Sequence, residues 1–321
     1  MNLSEFELKL NKWGQDRVPF FFLIDFEMER PQAWKQGEIP GEILYSLGEK
    51  TNVESRPKTP NIALKKHPIP FDDYQAKFNV VRQRISFGDS YLTNLTVKTK
   101  IDLNQSLVDL FSAVNAKYKI CWSGNFLCFS PETFVKITDG KIRSFPMKGT
   151  IDAATPNAQE IILNDAKELS EHVTIVDLIR NDLSSISSNV VVNKFRYVET
   201  INTHQKALLQ VSSEIRGDLP KNHHSNLGTI LTSLLPAGSV SGAPKNKTLQ
   251  IIADAEKEKR GYYTGVVGYF DGENLDSGVM IRFIEQDGNQ FYYRSGGGIT
   301  SQSQVESEYQ EMIDKIYVPI H

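Results

Sequence analysis

The chain has 321 residues, of which 40% are hydrophobic, 23% charged and 10% aromatic; this composition excludes disordered, collagen-like and fibrous proteins and allows one or two domains at about 150 residues each. Thirty-six basic against thirty-nine acidic residues leave a net charge of −3, so no global positive field exists to hold nucleic acid or anionic lipid, and an anionic ligand has to be met locally. Two cysteines, Cys121 and Cys128, supply neither a disulfide framework nor a four-cysteine zinc site, and as reduced thiols they point to a reducing compartment.

The amphipathic start MNLSEFELKLNKWGQD carries acids and lacks the basic start and unbroken apolar stretch of a signal peptide. The longest apolar run, 20–24, is far too short to span a bilayer, so a cytoplasmic protein with no membrane partner is expected. A strand is expected over 19–26. Residues 48–71, with prolines at 57, 60, 68 and 70, read as a surface crossing, because the segment before Asp72 holds too little apolar material for a core of its own. The expected organisation is a reduced N-terminal strand segment and crossing, 1–71, packed on a main body, 72–321. Helical spacing of apolar residues occurs at 74–85, 107–116, 158–183, 245–259 and 305–317. Asp-Gly pairs at 139–140, 271–272 and 287–288 lie between β-branched or aromatic stretches, a strong hairpin signal. They pair 133–138 with 141–145, 263–270 with 279–284, and 279–284 with 290–294. Strands are also expected at 190–198 and 208–215. Grouped strands joined by hairpins, with helices between them, define an α+β protein with helices outside packed antiparallel sheets.

Four constellations could carry chemistry. A two-residue turn at Asp139-Gly140 pairs residues whose numbers sum to 279, which sets Glu132 opposite Met147 and beside Lys148. Strict alternation then puts the two side chains on opposite faces, so a shared site needs a longer loop or a bulge before Gly149; otherwise the pair is a surface contact worth almost nothing. In the C-terminal helix, Tyr309, Met312, Ile313 and Ile316 form the buried stripe, and Glu308, Glu311 and Lys315 form a second row at its border. That row could share a hard cation or an anion, or be a solvated edge. In DAKELSEHVTIVDLIRNDL, a helix places Glu171 on the face of Ile175 and Leu178 with Glu168 one turn earlier; strand is the competing reading for 173–179. A carboxylate on a burying face is costly unless it is paired or metal-bound. The stretches PAGSVSGAPK (236–245) and RSGGGITSQS (294–303) are either tight turns or backbone N–H cradles for a carboxylate or phosphate, and neither fits a nucleotide-binding loop. Pro244 suits the first turn of a helix ending near Gly261. No G-x-S-x-G or H-E-x-x-H occurs, and histidines 67, 172, 204, 223, 224 and 321 show no metal-ligand spacing.

Taken in order, GDSYLTNLT (88–96), SPETF (130–134), PMKGT (146–150), SEH with IVDLIRNDL (170–183), LLPAGSVSGAPK (234–245), RGYYTGVVGYF (260–270) and SGGGITSQSQVESEYQEMIDK (295–315) resemble the motifs of the chorismate-utilising enzymes. The similarity runs from about Asp72 to the C-terminus and implies a catalytic domain over 72–321, built of two packed antiparallel sheets with helices outside. Lysine before the Gly-Thr of PMKGT is similar to the aminodeoxychorismate synthase branch, component I, which aminates chorismate at C4 toward 4-aminobenzoate and folate; anthranilate synthases usually carry alanine there. The resemblance implies that Lys148 attacks C2 of chorismate while Glu132 assists departure of the 4-hydroxyl. It implies Mg²⁺ on Glu171 and Glu311, with Glu168 and Glu308 as outer-sphere partners. Gly149, Thr150, Tyr263, Arg282, Lys315 and the amides of Gly296, Gly297 and Gly298 would bind the substrate. Ammonia would come from a separate glutamine amidotransferase subunit or from free ammonium. A nucleophilic lysine attacks as the neutral amine, so the Lys148 pKa is expected to fall from about 10.4. Four positions depart from the pattern. Leu92 stands where relatives have glutamine or a water-activating lysine, so water addition is not expected. Gln210 replaces a histidine, His172 an asparagine and Met312 a threonine. No tryptophan-binding motif is recognisable, and allosteric control by tryptophan is not expected. Anthranilate synthase component I and a non-catalytic chorismate-binding paralogue are the alternatives.

Overall fold

Phe20–Ile24 reads FFFLI, and all five residues are buried, because the sheet they belong to is covered on both faces. The computed structural model describes residues 1–54, 61–202 and 207–319; Pro57, Pro60, His204 and His321 lie outside them. The first half contains α1 (Leu3–Gln15), β1 (Phe20–Ile24), β2 (Gln32–Lys35), β3 (Ile43–Leu47), β4 (Lys50–Thr51), β5 (Leu64–His67), α2 (Phe71–Ser86), β6 (Leu92–Leu103), α3 (Leu107–Ala113), β7 (Tyr118–Trp122), β8 (Phe126–Ser130), β9 (Thr133–Thr138), β10 (Lys141–Ser144) and β11 (Met147–Asp152). The second half contains α4 (Ala158–Asn164), α5 (Ala166–Ser184), β12 (Ser188–Asn202), β13 (Ala207–Asp218), α6 (Leu227–Ser233), α7 (Gly238–Ser241), β14 (Gly242–Ala243), α8 (Lys245–Glu256), β15 (Val266–Phe270), β16 (Leu275–Val279), β17 (Phe283–Asp287), β18 (Gln290–Ile299) and α9 (Val305–Asp314).

One sheet runs β11-β13-β10-β9-β16-β15-β1-β2, with β12 on β13; the other runs β14-β6-β18-β17-β8-β7-β3-β4, with β5 on β6. The fold is the expected α+β pair of antiparallel sheets. Phe21 and Leu23 of β1 point into a core shared with Tyr45, Ile120 and Phe283 of the second sheet. Their neighbours Phe20, Phe22 and Ile24 face Phe6 and Leu10 of α1 and Leu227 of α6. The far face of the second sheet is covered by α3 and by α2, α8 and α9. Strands of the N-terminal segment enter both sheets, β1 beside β15 and β3 beside β7. Both cysteines are free and buried, and among the described residues no helix is long and apolar enough to cross a membrane.

The hairpin at Asp139-Gly140 has the expected register, Thr138 opposite Lys141 and Lys136 opposite Arg143. Both turn residues are left-handed, with φ 54° and 67°, as the mirror-image turn requires. The pairing with β9 ends at Arg143, while the chain runs on along β13, from Ser144 opposite Ile215 to Met147 opposite Ser212. Glu132 is therefore not set opposite Met147 by this hairpin. The helical stretch 158–183 is divided at Asp165, whose carboxylate accepts the Glu168 N–H at 2.8 Å and caps α5. Residues 173–179 are helical. No strand spans 279–284: β16 ends at Val279 and β17 begins at Phe283, so the intervening residues cross between sheets. Asp271-Gly272 opens a longer loop, closed by Phe270 opposite Leu275, because the Asp271 side chain accepts the Glu273 and Asn274 N–H groups at 3.0 and 2.8 Å. The last hairpin turns on Gly288 and Asn289, with Asp287 opposite Gln290. α8 stops at Glu256, where Lys257 turns left-handed at φ 57°, short of Gly261.

The end of α8 is tied down by a buried ion pair. Glu256 and Arg260 lie 2.6 Å apart with side chains 1% exposed. Glu256 Oε1 also accepts the N–H and hydroxyl of Thr96 in β6, at 2.8 and 3.0 Å. Arg260 donates to the carbonyls of Val240 and Asn94, at 2.7 and 2.8 Å. Removing one partner leaves a buried charge without its counterion. Arg260→Ala is expected to lower the unfolding free energy by about 3–5 kcal/mol in denaturant titration. Lys12→Ala, which breaks the exposed pair to Asp16, is expected to change it by less than about 1 kcal/mol; equal losses would contradict the assignment.

Candidate active site

β11 supplies the central amine. Its pairing with β13 slips between Lys148 and Thr150, and Gly149 in that bulge takes φ +75°, a conformation suited to glycine. The bulge thus lies at Gly149 rather than before it. The Lys148 side chain, 21% exposed, reaches Glu171 of α5, with Nζ to Oε2 at 3.1 Å and the Glu171 side chain 7% exposed. Thr150 lies past the bulge on an exposed position opposite Gln210.

The three glycines are the interior of β18, not a turn, paired with Thr96, Leu95 and Asn94 of β6. Side chains crowd their surfaces. A Cβ on Gly298 would lie 2.8 Å from Leu92 Cδ1, 3.2 Å from Lys148 Nζ and 3.7 Å from Glu171 Oε2. A Cβ on Gly297 would lie 3.4 Å from both Glu308 Oε2 and Glu311 Oε1, and 3.6 Å from Lys315 Nζ. Lys315 pairs with Glu311 at 2.6 Å and donates to the Gly296 carbonyl at 2.8 Å. Adjacent glycines thus bring the α5 and α9 charge clusters onto one strand.

Glu132 stands on another wall, 8% exposed, after β8. Its carboxylate accepts a short hydrogen bond from Ser239 Oγ. The charges of Lys148, Arg282 and Lys315 reach it and act to lower its pKa, although the hairpin does not set the acid opposite the amine. Arg282 takes φ 55° at the crossing between sheets. Its Nε donates to the Tyr317 hydroxyl at 3.3 Å, and its guanidinium lies 5.4 Å from the centre of that ring. Tyr263, 4% exposed, is pushed up to about 12 by burial and remains a neutral hydroxyl.

Burial pushes the Glu132 carboxyl above its ordinary value, against the Ser239 hydrogen bond and the nearby cations. Burial and then Glu171 push Glu168 upward, with Glu311 adding to it. Burial lowers Lys315, with Glu311 opposing. Burial also acts to lower Lys148, but Glu171, Glu168 and Glu311 outweigh it, so its pKa is raised. The expected fall is not found, because carboxylates surround the amine where a cation would have been needed.

Among the described residues no three His, Cys, Asp or Glu groups converge to hold a metal by themselves. Glu171 and Glu311 are each engaged by a lysine. This donor set does not fit an ion that demands three protein ligands. It fits magnesium, which takes one or two carboxylates and keeps waters and substrate oxygens. Such an ion would offset the Glu171 and Glu311 charges that, after burial, push Glu168 upward.

The four departures are all near this site. Leu92 is 3% exposed and covers Gly298 with its methyl. His172 Nε2 lies 2.6 Å from Ser213 Oγ, and burial, then Arg196 and Lys148, lower its pKa to about 4. Met312 is fully buried with its sulfur 3.9 Å from Thr99 Oγ1, and Gln210 is 8% exposed. Sequence reasoning missed Ser239, although its stretch was singled out for glycines. It also missed the Asp182–Lys245 pair at 2.8 Å. Ser239 and Asp182 line one narrow cleft with Glu132.

The sequence profile of the chorismate binding enzymes matches residues 20–321. The chain belongs to that family. An uncharacterized PabA-like protein of Haemophilus influenzae is 48% identical over 319 residues, 99% of this chain and 97% of that protein. Aminodeoxychorismate synthase component 1 of Escherichia coli is 31% identical over 261 residues; the match covers 76% of this chain and 56% of that protein, so the similarity spans just over half of that relative. The solved structure of anthranilate synthase component I from Streptococcus pneumoniae superposes with a TM-score of 0.66 at 27% identity, covering 83% of this chain and 60% of that one.

The glycine strand gives a direct test of the packing. A Cβ on Gly296 would lie 2.1 Å from the Leu95 carbonyl oxygen, whereas the nearest atoms to one on Gly297 are 3.4 Å away. Gly296→Ala is expected to lower stability by about 1–3 kcal/mol through a forced backbone shift. Gly297→Ala is expected to keep the wild-type unfolding midpoint. A destabilised Gly297→Ala beside an unaffected Gly296→Ala would overturn the placement.

Proposed function

We propose that the chain is the component I type of aminodeoxychorismate synthase, aminating chorismate at C4 to give 4-amino-4-deoxychorismate for 4-aminobenzoate and folate synthesis. The observation that carries this reading is Lys148, a half-buried amine between Glu171 and Gly298, in a site shared with the buried acid Glu132. An enzyme adding ammonia directly to C2 has no use for an amine there; one that displaces the 4-hydroxyl in two steps does.

Neutral Lys148 Nζ forms a bond to C2, the two ring double bonds shift, and the C4–O bond breaks as Glu132 gives its proton to the departing hydroxyl, releasing water. Ammonia then adds at C4, the double bonds shift back and the C2–Nζ bond breaks. The Glu132 carboxylate takes the surplus proton from the new ammonium group, which returns the acid and the lysine to their starting states. Tyr263, Arg282, Lys315 and the β18 backbone would bind the substrate carboxylates, with the guanidinium able to engage one bidentately. Magnesium held by Glu171 and Glu311, with Glu168 and Glu308 outside them, would supply positive charge at the ring carboxylate and offset the acids around Lys148. A separate glutamine amidotransferase subunit, in the cytoplasm, would supply the ammonia.

The test is incubation of the pure protein with chorismate, Mg²⁺ and ammonium at high pH, followed by mass analysis. Aminodeoxychorismate is the expected product. Anthranilate would replace this reading with anthranilate synthase component I, and binding without turnover would replace it with a non-catalytic paralogue. Lys148→Ala is expected to reduce amination by ~10³-fold or more while keeping Mg²⁺-dependent chorismate binding, and full activity in that variant would remove the covalent route.

A further inference from the structure

Glu132 is well anchored by its backbone and loosely by its own length. Its N–H donates to Ser130 Oγ at 3.1 Å, and its carbonyl accepts the Val279 N–H at 3.1 Å. Its side chain still has three rotatable bonds between that anchor and the carboxyl group. Ser239 Oγ meets the carboxyl from the opposite wall of the cleft and donates to Oε1. A carboxyl whose Oε1 receives a hydroxyl proton carries its own proton on Oε2, so this contact selects both a rotamer and a reactive oxygen.

The element that carries Ser239 is itself immobilised. Ser241 Oγ donates to the Ala237 carbonyl at 3.0 Å, and the Val240 carbonyl accepts from Arg260 of the buried ion pair at 2.7 Å. A Cβ on Gly238 would lie 2.8 Å from Leu178 Cδ2 and 3.4 Å from Asp182 Oδ2, so α7 is pressed against α5, the helix that bears Glu171. Asp182, the other carboxylate of the cleft, does not compete for the hydroxyl: Lys245 engages it at 2.8 Å, and the same ammonium donates to the Leu234 carbonyl at 2.8 Å.

We propose that Ser239 is the positioning residue of the site, orienting the Glu132 carboxyl so that its proton faces the substrate from Oε2. The role rests on the reading of Glu132 as the acid that protonates the departing hydroxyl. The hydroxyl donor also favours the ionised carboxylate, working against burial, so its loss raises the Glu132 pKa further. An acid with a higher pKa stays protonated to higher pH, and the alkaline limb of its rate profile moves up.

Ser239→Ala is expected to lower kcat for chorismate about tenfold with KM nearly unchanged, the size of one lost hydrogen bond. With free ammonia held constant, the alkaline limb of kcat is expected to move to higher pH. Ser239→Thr keeps a hydroxyl and is expected to restore both. Independently of turnover, the Glu132 carboxyl of the substrate-free protein, followed by ¹³C NMR and assigned with Glu132→Gln, is expected to titrate higher in Ser239→Ala than in wild type. Wild-type turnover with neither kcat nor the titration altered in Ser239→Ala overturns the positioning role. A shifted titration in a protein that does not aminate chorismate supports the contact and removes the reaction assigned to it. Loss of activity in Ser239→Thr equal to that in Ser239→Ala, with an unmoved titration, would also overturn the proposal.

Discussion

The Glu256–Arg260 pair is the constraint on which the site's geometry depends. It is fully enclosed, and ion pairs in that position contribute little net stability over a well-packed apolar alternative. Their effect is geometric, because every donor and acceptor has to be met in one arrangement. Here Glu256 takes the N–H and hydroxyl of Thr96, and Arg260 takes the carbonyls of Asn94 and Val240. One pair thereby fixes α8, the β6 segment facing the three glycines, and the short α7 that holds Ser239. Displacing it would move the Gly298 neighbourhood and the Glu132 contact together, although no atom of the pair bonds to either lysine of the site.

That arrangement lets a site of high charge density exist in a chain with little net charge. Two lysine–glutamate pairs, Lys148–Glu171 and Lys315–Glu311, come from different elements and meet across adjacent glycines. Any side chain at Gly298 would sit in contact with Lys148 Nζ and inside the normal packing distance of Leu92. The glycines therefore serve proximity, with strand backbone approached from both sides, more than the turn-making flexibility for which glycine is usually read.

Legibility in the sequence followed the range of the physics. The Asp139-Gly140 hairpin was recoverable to the residue, because a two-residue turn sets register locally. Its continuation to Glu132 and Lys148 was not, because β11 pairs with a strand some sixty residues later in the chain, and no local rule reports that. The helix 158–183 was visible, but its break required noticing that Asp165 caps a new helix. β8 escaped because a strand covered on both faces loses the alternation that marks a half-exposed strand; it is buried at all five positions. The identities of the clustered acids and lysines were readable one helix at a time, and their convergence through β18 was not.

The sign of the charge is the last constraint. Five carboxyl groups, Glu132, Glu168, Glu171, Glu308 and Glu311, share the site with three cations, Lys148, Lys315 and Arg282. Chorismate is a dianion, so its entry alone would add negative charge beside Glu168, which burial and then Glu171 already push upward. Two responses are available to such a site: protonating a carboxyl or admitting a cation with the substrate. Glu132 is set up for the first by burial, and the Glu171–Glu311 side is suited to the second by its clustered carboxylates. In the proposed reaction the proton kept on the Ser239 wall goes to the leaving group, and a cation on the α5–α9 wall would offset the carboxylates that keep Lys148 an ammonium.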